Sequence, residues 1–217
     1  MDPPEIQRIK NRFFEIKKTY KDPAWLSPNV RNELRGCAGR ARQLKSFALA
    51  AELYVFINDR KQIAEMIYEI FKNDEFALGA HLIVNYVESE NKDKLAKVLE
   101  SGYDEWYWAA AIWHGIGDER KLFSFAIRAF LAAIKYSQVE DFDFAEDAFR
   151  ESIYALSKIK FSSAFDMGEN PEHTVRRVIS VMQQLLPDEH ADAVAKYIES
   201  NKDTDDYFGD DYEITGI

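Results

Sequence analysis

Apolar residues recur along this chain at helical rather than strand spacing. Ile6, Ile9, Phe13, Ile16 and Tyr20 fall at steps of three and four, one stripe of a helix, with Arg8, Arg12, Lys17 and Lys18 off it. Asp2-Pro3-Pro4-Glu5 reads as its start: Asp2 is placed to accept from a first-turn amide, Pro is tolerated at the first position, and Glu5 is placed as a capping-box partner. Asp22-Pro23 stops it. Ser27-Pro28 opens a second helix carrying Val30, Leu34, Cys37, Ala41 and Leu44. Gly36 and Gly39 lie inside it, three apart, and either permit close helix approach or weaken the helix.

A rhythm follows from Ser46. Ala51–Val55 leads through Asn58-Asp59 to Ile63–Ile67; Ala80–Val84 leads through Ser89-Glu90-Asn91 to Leu95–Leu99; Ala110–Trp113 leads through Gly117-Asp118 to Leu122–Ala126. First helices recur after 29 and 30 residues, second helices after 32 and 27. Asp59, Asn91 and Asp118 are placed to cap the second helices, Asp104 to cap a first one, and Gly102 suits a left-handed position after a helix ending at Ser101. Longer helices are expected over about 119–136 and 141–158, then from Asn170-Pro171 through Leu186, and from Pro187-Asp188 to about Glu199.

Three hairpins at 46–74, 75–101 and 103–136 resemble helical-repeat proteins of the HEAT, armadillo and tetratricopeptide kind. The resemblance carries over no family-specific residue. It implies a shape: a curved stack with a concave face for an extended or helical partner. The expected fold is therefore all-α, about ten helices in a right-handed, α-solenoid-like stack of hairpins. Residues 1–200 form a single helical-repeat domain in this reading, and 201–217 an acidic, mobile tail.

Composition supports a folded chain: 47% hydrophobic, 30% charged, with few Gly and Pro among 217 residues. Cys37 is the sole cysteine, so no intrachain disulfide forms; a lone Cys among Ala and Gly is more often a small core residue than a reactive thiol beside Arg35 and Arg40. The polar start lacks the apolar run of a secretory leader, and no stretch approaches the ~18–20 apolar residues of a membrane span. A soluble protein in a reducing cytoplasm is the expectation.

Charge is segregated. Residues 1–45 hold 11 Lys/Arg against 5 acids, net +6, whereas the whole chain is −10; residues 201–217 are net −5. Such a field disfavours nucleic acid over most of the surface and favours a basic partner. Two binding readings stay open. In the first, the chain is a non-catalytic interaction module for a protein with a basic surface, for instance an immunity or antitoxin-type inhibitor of a toxin. Its candidate residues are Asp104, Glu105, Trp106 and Trp108 with Asp203, Asp205, Asp206, Asp210 and Asp211. In the second, Arg8, Arg12, Arg31, Arg35, Arg42 and Lys45 grip a nucleic-acid backbone, or else form a solvated or internally paired face.

An enzyme is the least favoured reading. The run Tyr103-Asp104-Glu105-Trp106-Tyr107-Trp108, with Trp113 and His114, contains the aromatics and acids with which helical-repeat DNA glycosylases cradle an extruded base, but its local charge is negative. Packing of an apolar central helix explains the same residues. His81, His114, His173 and His190 make no metal-ligand spacing with one another; Glu189-His190 with Asp192 does not converge on one helix face. No cofactor or metal is expected.

Overall fold

The computed structural model describes residues 3–159 and 171–200. Those residues form eleven α-helices, with no strand among them, and the chain is all-α. It divides into two compact units, one ending at Asn91 and the other starting at Lys92.

In the first unit, α1 (Pro4–Thr19) buries Ile6, Ile9, Phe13 and Ile16, the stripe expected from their spacing. Pro3 stands at its N-cap, and Asp2, the expected capping residue, lies outside the described residues; Glu5 turns to Arg40 instead of closing a capping box. A 3-10 turn, Pro23–Trp25, follows, capped by the Asp22 carboxylate on the Ala24 amide. Ser27 caps α2 (Pro28–Gln43) through the Val30 amide at 3.3 Å. Its buried stripe is Leu34, Ala38 and Ala41, and Cys37 is only half-buried. α3 (Phe47–Phe56) is apolar on nearly every side because α2 and α4 (Arg60–Phe71) cover it from two directions. Asp59 caps α4 through the Gln62 amide, as its position predicts. α5 (Phe76–Tyr86) packs on α4 so closely that a Cβ on Gly79 would lie 2.3 Å from the Phe71 ring.

The first three residues of α6 (Ser89–Val98) belong to the first unit and the rest to the second; Asn91 lies inside the helix rather than at its cap. The chain then widens into a π-helical turn, Leu99–Tyr103. That turn displaces the expected stop: Asp104, not Gly102, takes the left-handed conformation, at φ 56°. Asp104 consequently does not cap α7 (Trp106–Ile116), which ends on Gly117 at φ 72°. Asp118 caps α8 (Glu119–Gln138) through the amides of Arg120 and Lys121. α9 (Phe142–Lys158), α10 (Pro171–Leu185) and α11 (Asp188–Ser200) complete the unit within two residues of the boundaries read from the sequence. α7, α8, α10 and α11 all pack against α9, so one helix organises this unit; the first unit is built from successive neighbours, α2 to α5.

Helix ends are tight throughout. Lys45, Asn58, Asp74, Asp104 and Glu140 all sit at φ between 53° and 60°, in the position that glycine usually fills after a helix. No described helix is long and apolar enough to cross a membrane.

Candidate functional site

Five arginines near the N-terminus are engaged by polar groups of their own unit. Arg12 chelates Glu33 at 2.6 and 3.1 Å and also reaches Glu15. Arg31 donates to the backbone carbonyls of Ile57 and Pro23, Arg35 to Asp59 at 2.7 Å, and Arg42 to both oxygens of Glu69 at 2.8 and 2.7 Å. Arg40, not singled out in the sequence, holds Glu5 in the same forked geometry. These partners keep the carboxyls of Glu5, Glu33 and Glu69 below the ordinary glutamate range, chiefly by hydrogen bonding from the guanidinium. Arg8 and Lys45 are exposed. Beside the Arg42–Glu69 pair a pocket of about 290 Å³ is lined by Gly39, Arg42, Gln43, Tyr54, Gln62 and Glu69.

The aromatic run divides. Trp106 and Trp113 are buried and belong to the core of the second unit; Trp108 is half-buried, edge-on to Tyr107 at 4.7 Å between centroids. The carboxylate at this aromatic core is neither Asp104 nor Glu105 but Glu100, from the π-helical turn. It is buried, accepts from the Trp113 indole N–H, and is gripped by Arg128 at 2.7 and 2.8 Å. Arg128 also covers the Trp113 ring at 5.7 Å. Nothing in the sequence flags Glu100, because the turn that inserts it leaves no periodic mark. Glu105 is half-buried at the start of α7.

Asp104 goes elsewhere, to the shoulder made by the α8–α9 turn. Its Oδ1 accepts from the Tyr136 hydroxyl at 2.7 Å, and burial followed by this carboxylate pushes the phenol up to about 12. Tyr136 lies 5.5 Å from the Phe144 ring. Phe144 is 44% exposed and Val139 is 67% exposed. Between and beside them stand Glu140, Asp141 and Asp143, all exposed. Of the next two acids, Glu146 accepts from His190 at 2.7 Å and Asp147 pairs with Arg150 at 2.8 Å. The stretch 139–147 has no cationic residue; Lys135 precedes it on α8. Residues 92–208 as a whole hold 14 Lys/Arg against 22 Asp/Glu, net −8, and residues 1–91 are net +1.

A second polar cluster lies deeper in the same unit. Glu151 is fully buried on α9. Its Oε1 accepts from Arg150 Nε at 3.1 Å, and its Oε2 has no hydrogen-bond partner. Arg150 is sandwiched between that carboxyl, Asp147 and the face of the Tyr197 ring at 4.6 Å. Desolvation pushes the Glu151 carboxyl up to about 7, against the pull of Arg150. It also raises the Tyr197 phenol, with Glu151 and then Tyr107 of α7 adding to the effect. From α8 the neighbouring group is the Ala126 carbonyl, taken by Ser152; His173, Arg176 and Arg177 of α10 are exposed.

Among the described residues no group of three or more His, Cys, Asp and Glu could hold a metal ion. His190, weighed as a ligand with Glu189 and Asp192, faces Glu146. Asp203, Asp205, Asp206, Asp210 and Asp211 lie outside the described residues. Comparison with family models, with curated proteins and with solved structures finds no match for this chain.

Proposed function

We propose that this chain is an interaction module whose second unit binds a partner protein carrying both basic and apolar residues, and that the α8–α9 shoulder is the docking surface. One observation carries the reading: Val139 and Phe144 are exposed directly among Glu140, Asp141 and Asp143. Exposed apolar side chains provide area whose desolvation favours association, and a carboxylate rim steers a cationic partner and rejects an anionic one. Asp104 and Tyr136 extend the same surface. Arg12, Arg35, Arg40 and Arg42 of the first unit are engaged by its own acids, whereas no Lys or Arg stands in the sequence among Glu140, Asp141 and Asp143. Masking the basic surface of a toxin, in the immunity or antitoxin manner, is a form of this role that needs no chemistry from the chain itself.

The probe is a short amphipathic peptide of lysine and leucine, followed by fluorescence anisotropy against the full chain. Glu140→Gln with Asp141→Asn and Asp143→Asn should weaken binding about tenfold and flatten its salt dependence, and Phe144→Ser should weaken it at every salt concentration. The control neutralises the same number of charges at Glu119, Glu189 and Glu199. Equal loss in the control would mean that net charge alone attracts the peptide, and the shoulder would have to be abandoned as the site.

A further inference from the structure

Two places inside the second unit share one arrangement. Arg128 lies over the Trp113 ring at 5.7 Å and is held by Glu100 at 2.7 and 2.8 Å. Arg150 lies over the Tyr197 ring at 4.6 Å and is held by Asp147 and Glu151 at 2.8 and 3.1 Å. In each, a guanidinium has an aromatic ring against its face and a carboxylate at its N–H edge.

The α8–α9 shoulder carries the other two parts of that arrangement. Tyr136 and Phe144 lie 5.5 Å apart with 35° between their planes. Asp104 accepts from the Tyr136 hydroxyl at 2.7 Å. The Tyr136 carbonyl accepts from the Asp141 amide at 3.0 Å, which ties the turn to the same residue. Burial, then Asp104 and Asp141, raise the Tyr136 phenol, so both carboxylates lie within electrostatic reach of its oxygen. Among the described residues no Lys or Arg lies over either ring.

We propose that this face takes an arginine side chain of the docking partner, its guanidinium stacked on Tyr136 and Phe144 and hydrogen-bonded to Asp104, an inference that rests on the shoulder being the docking surface.

Three features select a guanidinium. Asp104 already accepts from Tyr136, but an ionised carboxylate has about four acceptor positions, so that bond fixes the group without exhausting it. Rings inclined at 35° spread into one surface, on which a planar cation stacks; a trimethylammonium group needs rings that enclose it. A lysine ammonium is compact and strongly hydrated, and gives up more to meet a ring face than a guanidinium does. The surface is also within reach of a partner, since Phe144 is 44% exposed and Asp104 and Asp141 are exposed.

The experiment compares three amphipathic leucine peptides that differ only in their cation, which is lysine, arginine or trimethyllysine. Each is followed by fluorescence anisotropy against the full chain at one salt concentration. The arginine peptide should bind about fivefold tighter than the lysine peptide. Phe144→Leu keeps apolar area and removes the ring; Asp104→Asn keeps the shape and removes the charge. Each should bring that ratio down to about twofold or less, whereas Glu189→Gln on α11 should leave it unchanged. Circular dichroism confirms that each variant is folded. Equal affinity for the lysine and arginine peptides overturns the inference and leaves the docking surface standing. Failure of all three peptides to bind removes both. A ratio that survives both variants also overturns the inference, as does a trimethyllysine peptide that binds tighter than the arginine one.

Discussion

Replacing Glu151 by Gln should make the protein more stable at alkaline pH and leave it nearly unchanged in acid. The carboxyl is fully buried, one oxygen has no partner, and it titrates at about 7 against 4.5 for an ordinary glutamate. Each pH unit across that interval weighs about 1.4 kcal/mol, so ionising Glu151 in place costs the folded state about 3 kcal/mol. The sign follows from proton binding. Between pH 4.5 and about 7 the folded chain holds a proton that the unfolded chain has released, so stability falls as pH rises through that window and is level above it. Gln keeps the shape and cannot ionise. Arg150 is not stranded by the change, because Asp147 and the Tyr197 ring remain against it. Urea denaturation of wild type and Glu151→Gln, followed by tryptophan fluorescence, reports on the right unit, since Trp106, Trp108 and Trp113 all belong to it. The difference in unfolding free energy should be close to zero near pH 4.5 and should approach about 3 kcal/mol in favour of the variant above about pH 8. A difference independent of pH, or a variant less stable than wild type in alkali, would show that Arg150 outweighs burial.

Three further outcomes follow from the packing. Glu100→Gln removes the charge that satisfies both Arg128 and the Trp113 indole, and should lower stability by about 2–3 kcal/mol in thermal or urea unfolding; a loss within error would mean that water replaces the carboxylate freely. Gly79→Ala drives a Cβ into the ring of Phe71, itself fully buried, and should cost about 1–3 kcal/mol, which a drop in the denaturation midpoint of the first unit measures. Burial raises the Cys37 thiol above its ordinary range, so alkylation by iodoacetamide at neutral pH should run several-fold slower than that of a free cysteine peptide, and equal rates would contradict it.

The parts of the fold legible in the sequence are those set by neighbours three and four residues apart. The Ile6–Ile16 stripe, the Pro4 and Pro28 starts, and the Asp59 and Asp118 caps are local, and the structure contains them all. The departures cluster at Leu99–Asp104, where a π-helical turn inserts residues that a 3.6-residue period cannot anticipate, which misplaced Gly102 and Asp104. The polar networks were the least legible part. Arg12–Glu33, Arg35–Asp59 and Arg42–Glu69 join residues 21 to 27 positions apart, and no spacing rule links such pairs. Glu151 did leave a trace: Ala148 and Ala155, three before and four after it, are both core residues, so a carboxylate on their face of α9 had to be buried.

The five side-chain-bearing residues at left-handed positions have a consequence for engineering. Lys45, Asn58, Asp74, Asp104 and Glu140 each hold a conformation that an L-residue adopts at a cost of about 1 kcal/mol and that glycine adopts freely. Where the side chain does no further work, as the exposed Lys45 and Asp74 allow, substitution by Gly relieves that cost. The sites lie in separate loops, so their gains should add. A variant with Gly at both positions should melt a few degrees higher than the parent with every helix unchanged. The turns of this chain thus carry polar side chains at the expense of thermal tolerance.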